Sequence, residues 1–212
     1  MKRILLTLAV LIALAPLSAF GFAGMLSTDN GGLTGTGDWG QNFMISWDVT
    51  QQADQSWFYQ YTMTTLAGAP LYDNEVSHLT LEISPNVPSS RFWGFSMDGG
   101  DVEFGSYDGI TNSMKLDWGL EDGATTYSFY SWQAPVWGDF YAKDGFSQTY
   151  DEFNTIRNTG FYNADHLLAA ADGSVDFKIL RPDTETAIPE PGTLLLFGLG
   201  LVGAGLRKRL LK

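Results

Sequence analysis

The side chains of this chain that could do chemistry are mostly carboxylates. Its 212 residues carry 24 Asp and Glu against 12 Lys and Arg, with two histidines and no cysteine. A pair of carboxylates can hydrolyse a glycosidic bond, one as the acid and the other as nucleophile or base. Two pairs have a suitable spacing: Asp101 with Glu103, at i and i+2 on one face of an extended strand, and Asp151 with Glu152. In so acidic a chain such pairs arise by chance, so a secreted carbohydrate-active hydrolase stands only as an alternative. Asp98-Gly99-Gly100-Asp101 offers oxygen ligands to calcium, but it lacks the EF-hand pattern and reads first as a hairpin turn. His78 and His166 lie far apart, outside any His-x-x-x-His spacing, and without cysteine a zinc site would need carboxylates. No Gly-x-Ser-x-Gly elbow is present. The expectation is a protein that is not an enzyme, with no catalytic residue, no metal site and no cofactor; calcium is the open alternative.

Aromatic rings are the second chemical resource. Seven Trp, nine Tyr and fourteen Phe supply large areas to a core that no disulfide supports. Rings left exposed can stack on sugars beside Asp or Asn acceptors. Trp39, in a Gly-rich stretch, and Trp93 are the candidate exposed, saccharide-binding residues, with closing the core as the alternative for both.

The elements that must position these groups read as strands. Phe43, Ile45, Trp47 and Val49 alternate with polar residues, as do Trp57 to Met63, Leu79 to Ile83 and Val175 to Ile179. Phe92 to Met97, Asp101 to Gly105, Ser113 to Trp118, Thr125 to Trp132 and Trp137 to Ala142 add further strands. Turn sequences such as Tyr107-Asp108-Gly109 and Glu121-Asp122-Gly123 separate them. About nine short strands so punctuated predict an all-β, antiparallel β-sandwich, jelly-roll-like in its connections. Thr28 to Gly40 is expected to be irregular, and Tyr150 to Ala171 a loop with a short helix over Ala164 to Ala171. The exported domain is bounded at 24–180, with a linker over 181–188.

The two ends differ from the body. Lys2 and Arg3, an apolar run from Ile4 to Leu17 and small residues up to Ala23 follow the order of a secretory signal peptide over 1–23. Pro16 breaks the run, which is too short for a spanning helix. Removal is expected after Ala23, with Ala19 as second choice. Between the ends, residues 24–188 keep 6 cations and 23 anions, a formal charge of −17. The six cations are scattered, which excludes nucleic acid as a partner.

The C-terminal segment 189–212 holds Pro189-Glu190-Pro191, then fourteen uncharged residues from Thr193 to Leu206, then Arg207-Lys208-Arg209. As a helix the uncharged run spans about 21 Å, short of a bilayer core. The basic cluster can snorkel and stops translocation, so the body lies outside and the basic stub in the cytoplasm. This three-part pattern resembles the PEP-CTERM sorting signal of Gram-negative bacteria. The resemblance implies passage through the inner membrane, recognition by an exosortase, and release to the cell surface or extracellular matrix of an exopolysaccharide-producing cell. APVWGDFYAKDG (Ala134 to Gly145), with HLTLEIS (His78 to Ser84) and Arg181-Pro182-Asp183-Thr184, resembles a motif set found in a subset of such proteins. The reading is an exported surface or biofilm-matrix protein whose sandwich has a structural or saccharide-binding role. A permanently membrane-anchored surface protein is the further alternative.

Overall fold

Alternating apolar and polar residues become thirteen strands among the residues that a computed structural model of the chain describes, which are 21–69, 71, 76–85, 87–96, 100–117, 125–161 and 177–182. Outside them lie the expected signal peptide up to residue 20, Asp98, the expected helix over Ala164 to Ala171, His166, Pro189-Glu190-Pro191, the hydrophobic segment and Arg207-Lys208-Arg209.

The strands form two antiparallel sheets and a ribbon. In the first sheet are β1 (Gly21–Ser27), β3 (Met44–Gln51), β4 (Trp57–Thr64), β6 (Phe92–Ser96) and β9 (Thr125–Ser131), in the order β1-β3-β4-β9-β6. The second holds β2 (Leu33–Thr36), β5 (His78–Glu82), β7 (Val102–Tyr107), β8 (Ile110–Asp117), β11 (Phe140–Ser147) and β12 (Glu152–Asn158), in the order β2-β12-β11-β5-β8-β7. β10 (Pro135–Gly138) pairs with β13 (Ile179–Pro182). The chain is an all-β antiparallel sandwich.

One row of each sheet faces the other. Trp57, Tyr59, Tyr61 and Met63 of β4 are buried, and so are Tyr127 and Phe129 of β9. From the second sheet come Leu79, Leu81, Met114, Leu116, Phe140 and Ile156. Burying each large side chain is worth roughly 1.5–3 kcal/mol. Buried tyrosines need partners for their hydroxyls: Tyr59 donates to the Gln133 carbonyl at 2.7 Å, Tyr61 to that of Leu180 at 2.8 Å and Tyr127 to that of Val76 at 3.1 Å. Burial pushes the Tyr61 phenol well above its ordinary range, only partly offset by the Arg181 charge, which keeps it a donor. The ribbon is tied to the first sheet by that bond and by an edge-on contact of Trp137 with Trp47 at 6.1 Å. Arg181 ties it to Glu82 of the second sheet at 3.5 Å.

Several boundaries differ from the sequence reading. β1 starts at Gly21, three residues inside the expected signal peptide. Thr28 to Gly40 contains β2 and a 3₁₀ turn, Gly37–Gly40. Glu152–Asn158 is a strand where a loop was expected. The expected strand over Trp137 to Ala142 is two strands split at Asp139. Arg181 and Pro182, expected in the linker, belong to β13 and are buried, because Arg181 reaches back into the domain.

Candidate functional site

The outward row of the first sheet carries rings where a solvated face would ordinarily carry polar groups. β6 is bent by a bulge between Trp93 and Ser96, with Gly94 at φ +63°. The extra residue lets Phe92 and Phe95 both turn inward onto Phe129, at 6.0 and 5.6 Å, and leaves Trp93 outward. Cross-strand register then aligns Phe58 with Tyr130 and Tyr130 with Trp93. Trp93 stacks on Tyr130 at 6.1 Å and 16°, and lies 5.0 Å from Trp132; Tyr130 lies 5.0 Å from Phe58. Tyr130 also covers Gly94, where a Cβ would come within 2.9 Å of the ring. Four rings therefore cross β4, β9 and β6, and Trp132 at their end is 43% exposed. The next outward row, two residues along in β4 and β9 and three in the bulged β6, is Gln60, Ser128 and Ser96, with Asp48 of β3 beside Gln60. Such a strip offers ring faces to the C–H side of a sugar and oxygen acceptors to its hydroxyls.

Trp39 does not belong to this surface. Its indole is 1% exposed and packs on Phe43 at 4.9 Å, so the expectation of an exposed platform there is corrected. The 3₁₀ turn that carries it folds against β12, held by the Gly37 N–H donating to Glu152 Oε1 at 2.9 Å and the Asp38 N–H to Asn154 Oδ1 at 2.8 Å. Trp93 is the one predicted ring placed outward, half-buried among its neighbours. Phe58, Tyr130 and Trp132 were missed. Their signal is only the cross-strand register, which local alternation does not reveal.

The two proposed carboxylate pairs lie at the starts of β7 and β12. Asp101 precedes β7 while Glu103 is on it, near Lys115 at 3.8 Å. Asp151 occupies a positive-φ turn and Glu152 holds the Gly37 amide. Two other carboxylates, Glu82 and Asp139, share a cleft of about 350 Å³ with Ser84, Asn112, Phe161 and Arg181. Each faces a cation: Glu82 Oε1 lies 3.5 Å from Arg181, and Asp139 Oδ1 lies 3.7 Å from Lys178. Glu82 Oε2 accepts the Asp139 N–H at 2.9 Å, and Asn158 donates to Asp139 Oδ1 at 2.8 Å. Arg181 Nη1 donates to Ser84 Oγ at 3.0 Å. Gly138 lies beneath the guanidinium, where any Cβ would come within 2.3 Å of Nε. The three segments singled out in the sequence, around Glu82, Gly138-Asp139 and Arg181, thus meet in one clamp. Its geometry locks β13 against the second sheet, since both carboxylates are engaged by cations and amides.

The outward face of the second sheet is also charged. Asp108, at φ +54° in the β7–β8 turn, reaches across to accept from Thr80 Oγ1 at 2.6 Å and to bond His78 Nε2 at 3.1 Å. Burial pushes its carboxyl up, but the bonds from His78 and Thr80 and the charges of His78 and Lys115 outweigh this and hold it below the ordinary range. Lys115 pairs with Asp117 at 2.8 Å. Partial burial pulls its ammonium down, and the bond to Asp117 with the charges of Asp117, Glu103 and Asp108 carries it above its ordinary value. Ser77 Oγ lies 3.4 Å from His78 Nδ1 but donates to the Lys143 carbonyl at 2.8 Å. Among the described residues no group of three or more His, Asp or Glu is arranged to hold a metal ion.

The tail is identified by comparison. Residues 187–209 match the PEP-CTERM protein-sorting motif. No curated protein and no solved structure matches the chain. Among the described residues no helix is long and apolar enough to cross a membrane.

Proposed function

From a chain that carries a PEP-CTERM sorting motif, and is on that account an exported protein handled by an exosortase, we propose a non-catalytic saccharide-binding role without a cofactor. On this reading the body crosses the inner membrane and waits there on its hydrophobic tail. Arg207, Lys208 and Arg209 hold the stub inside, and Pro189-Glu190-Pro191 presents an extended backbone to the exosortase. After processing, the sandwich resides at the cell surface or in the extracellular matrix and holds exopolysaccharide on its aromatic strip.

The observation that carries the reading is the strip itself: Phe58, Tyr130, Trp93 and the exposed Trp132, each ring in contact with the next, on one outward face. The test is retention of the exported protein in native gels cast with polysaccharide from its host. Trp93→Ala with Trp132→Ala is expected to abolish retention while costing about 1 kcal/mol of stability or less. Undiminished retention in a folded double variant would refute the reading.

A further inference from the structure

Four strands end the two sheets: β1 and β6 in the first, β2 and β7 in the second. A free strand edge is a template for another strand, and proteins blunt it with short strands, bulges or charge. Three of these edges are blunted. β6 has five residues and a bulge at Gly94. β2 has four residues, and the hydroxyl of Thr36 bonds back to the Phe153 carbonyl. β7 is bulged between Gly105 and Tyr107 and bears Glu103.

β1 is not blunted. Its seven residues, Gly21-Phe22-Ala23-Gly24-Met25-Leu26-Ser27, include no charge and no proline. They pair with β3 in unbroken register from Gly21 opposite Thr50 to Ser27 opposite Met44. Among the described residues no strand pairs with its other side. Phe22 and Met25 are 46% and 47% exposed.

We propose that β1 is a self-association edge, to which β1 of a second copy adds antiparallel about a two-fold axis. Two five-stranded sheets then become one continuous sheet of ten strands. With the axis at Gly24, Ala23 lies opposite Met25 of the second copy on the outward face, a small residue against a large one.

Charge favours this edge over the others. The body carries −17, so two copies repel, yet no side chain of β1 brings charge to the contact. Asp48, on the outward row of β3, pairs with Ala23 of β1. Across the joined sheet the two Asp48 carboxylates are three strand spacings apart and offset by two residues along the strands, about 16 Å, beyond the ~8–10 Å screening length. One strand pair buries less than a standard interface, so the association is reversible and rises with surface density.

The edge also requires Gly21 to Ala23, so the mature chain begins upstream of Gly21, at the cut after Ala19. Phe22 supports this, because its ring stacks on Trp57 at 6.1 Å and 26°. The inference rests on the edge alone and is independent of saccharide binding.

Because the chain has no cysteine, one introduced thiol is unique. Met25→Cys and Asp48→Cys would be made in the full chain in its host, treated in intact cells with a short bis-maleimide and run on denaturing gels. The N-terminus of the exported form would be read by mass. Expected are a cross-linked dimer from Met25→Cys, none from Asp48→Cys, loss of the dimer when Ala23→Lys is added, and a mature chain starting at Phe20. No dimer from Met25→Cys, equal dimer from both positions, or a mature N-terminus at Gly24 would overturn it. Should Ala23→Lys impair folding, the comparison of the two thiol positions still decides.

Discussion

The outward faces of the two sheets are solved in opposite ways. On the outer side of the second sheet polar and charged groups satisfy one another: His78 and Thr80 bond Asp108, and Lys115 pairs with Asp117. The first sheet spends a row of equivalent positions on Phe58, Tyr130 and Trp93, with Trp132 beyond them. Paired charge stabilises the fold and leaves little bonding capacity for a ligand. Stacked rings on an outward face have their remaining area available to a partner. On the proposed reading, stability belongs to one face and recognition to the other, and mutations can separate the two.

The largest expected separation comes from the clamp at the end of the second sheet. Glu82→Ala leaves Arg181, whose side chain is 10% exposed, without its carboxylate. Losing a partner from a fully buried pair costs ~3–5 kcal/mol; because Glu82 is about a third exposed and Arg181 keeps Ser84, about 2 kcal/mol is expected here. Urea unfolding checks this, and polysaccharide retention per folded molecule should be unchanged. Weakened retention at full folding would break the division between the faces.

A smaller effect is expected from Asp108→Asn, chosen because asparagine also tolerates the positive φ of this turn. Asp108 is held below its ordinary range, so its stabilising contribution is complete above the unfolded value near 3.8 and is lost as pH falls through the lower folded value. The variant should be less stable by about 1 kcal/mol at neutral pH, and the two proteins should converge in acid. A difference that persists under acid would mean that shape, and not charge, is what Asp108 supplies.

What the sequence revealed follows from where each signal is stored. The sorting tail is linear, so Pro189-Glu190-Pro191 and the basic cluster were legible without a fold. Strands with apolar inward rows, such as Trp57 to Met63, were legible by alternation. β12 was not, because two of its inward positions are asparagines: Asn154 and Asn158 are 1% and 0% exposed and spend their amides on the Asp38 N–H, the Phe140 N–H and Asp139. Local reading scores such residues as loop, whereas their partners lie on other segments. Trp39 failed for a related reason. Its Gly-rich neighbours suggested exposure, but its place is fixed by a turn that docks on β12. Trp93 was found while its stacking partners were not, since the strip exists only in cross-strand register.

The smallest expected effect has the opposite sign. Asp144, on the second sheet, is half-buried, and burial pushes its carboxyl above the ordinary range, with only the Gly145 N–H opposing. A group whose folded value is raised costs stability once both states are ionised, and that cost is relieved as pH falls through the folded value. Asp144→Asn removes the cost, so the variant should melt slightly higher than wild type at neutral pH, and the gain should shrink as the solution is made acid. Asp144 also qualifies the contrast between the faces, because the second sheet carries one carboxylate that its neighbours do not favour. If Asp144→Asn instead lowers the melting temperature at neutral pH, the ionised form is engaged in the folded protein, and the second face satisfies its charge more completely than the burial of Asp144 implies.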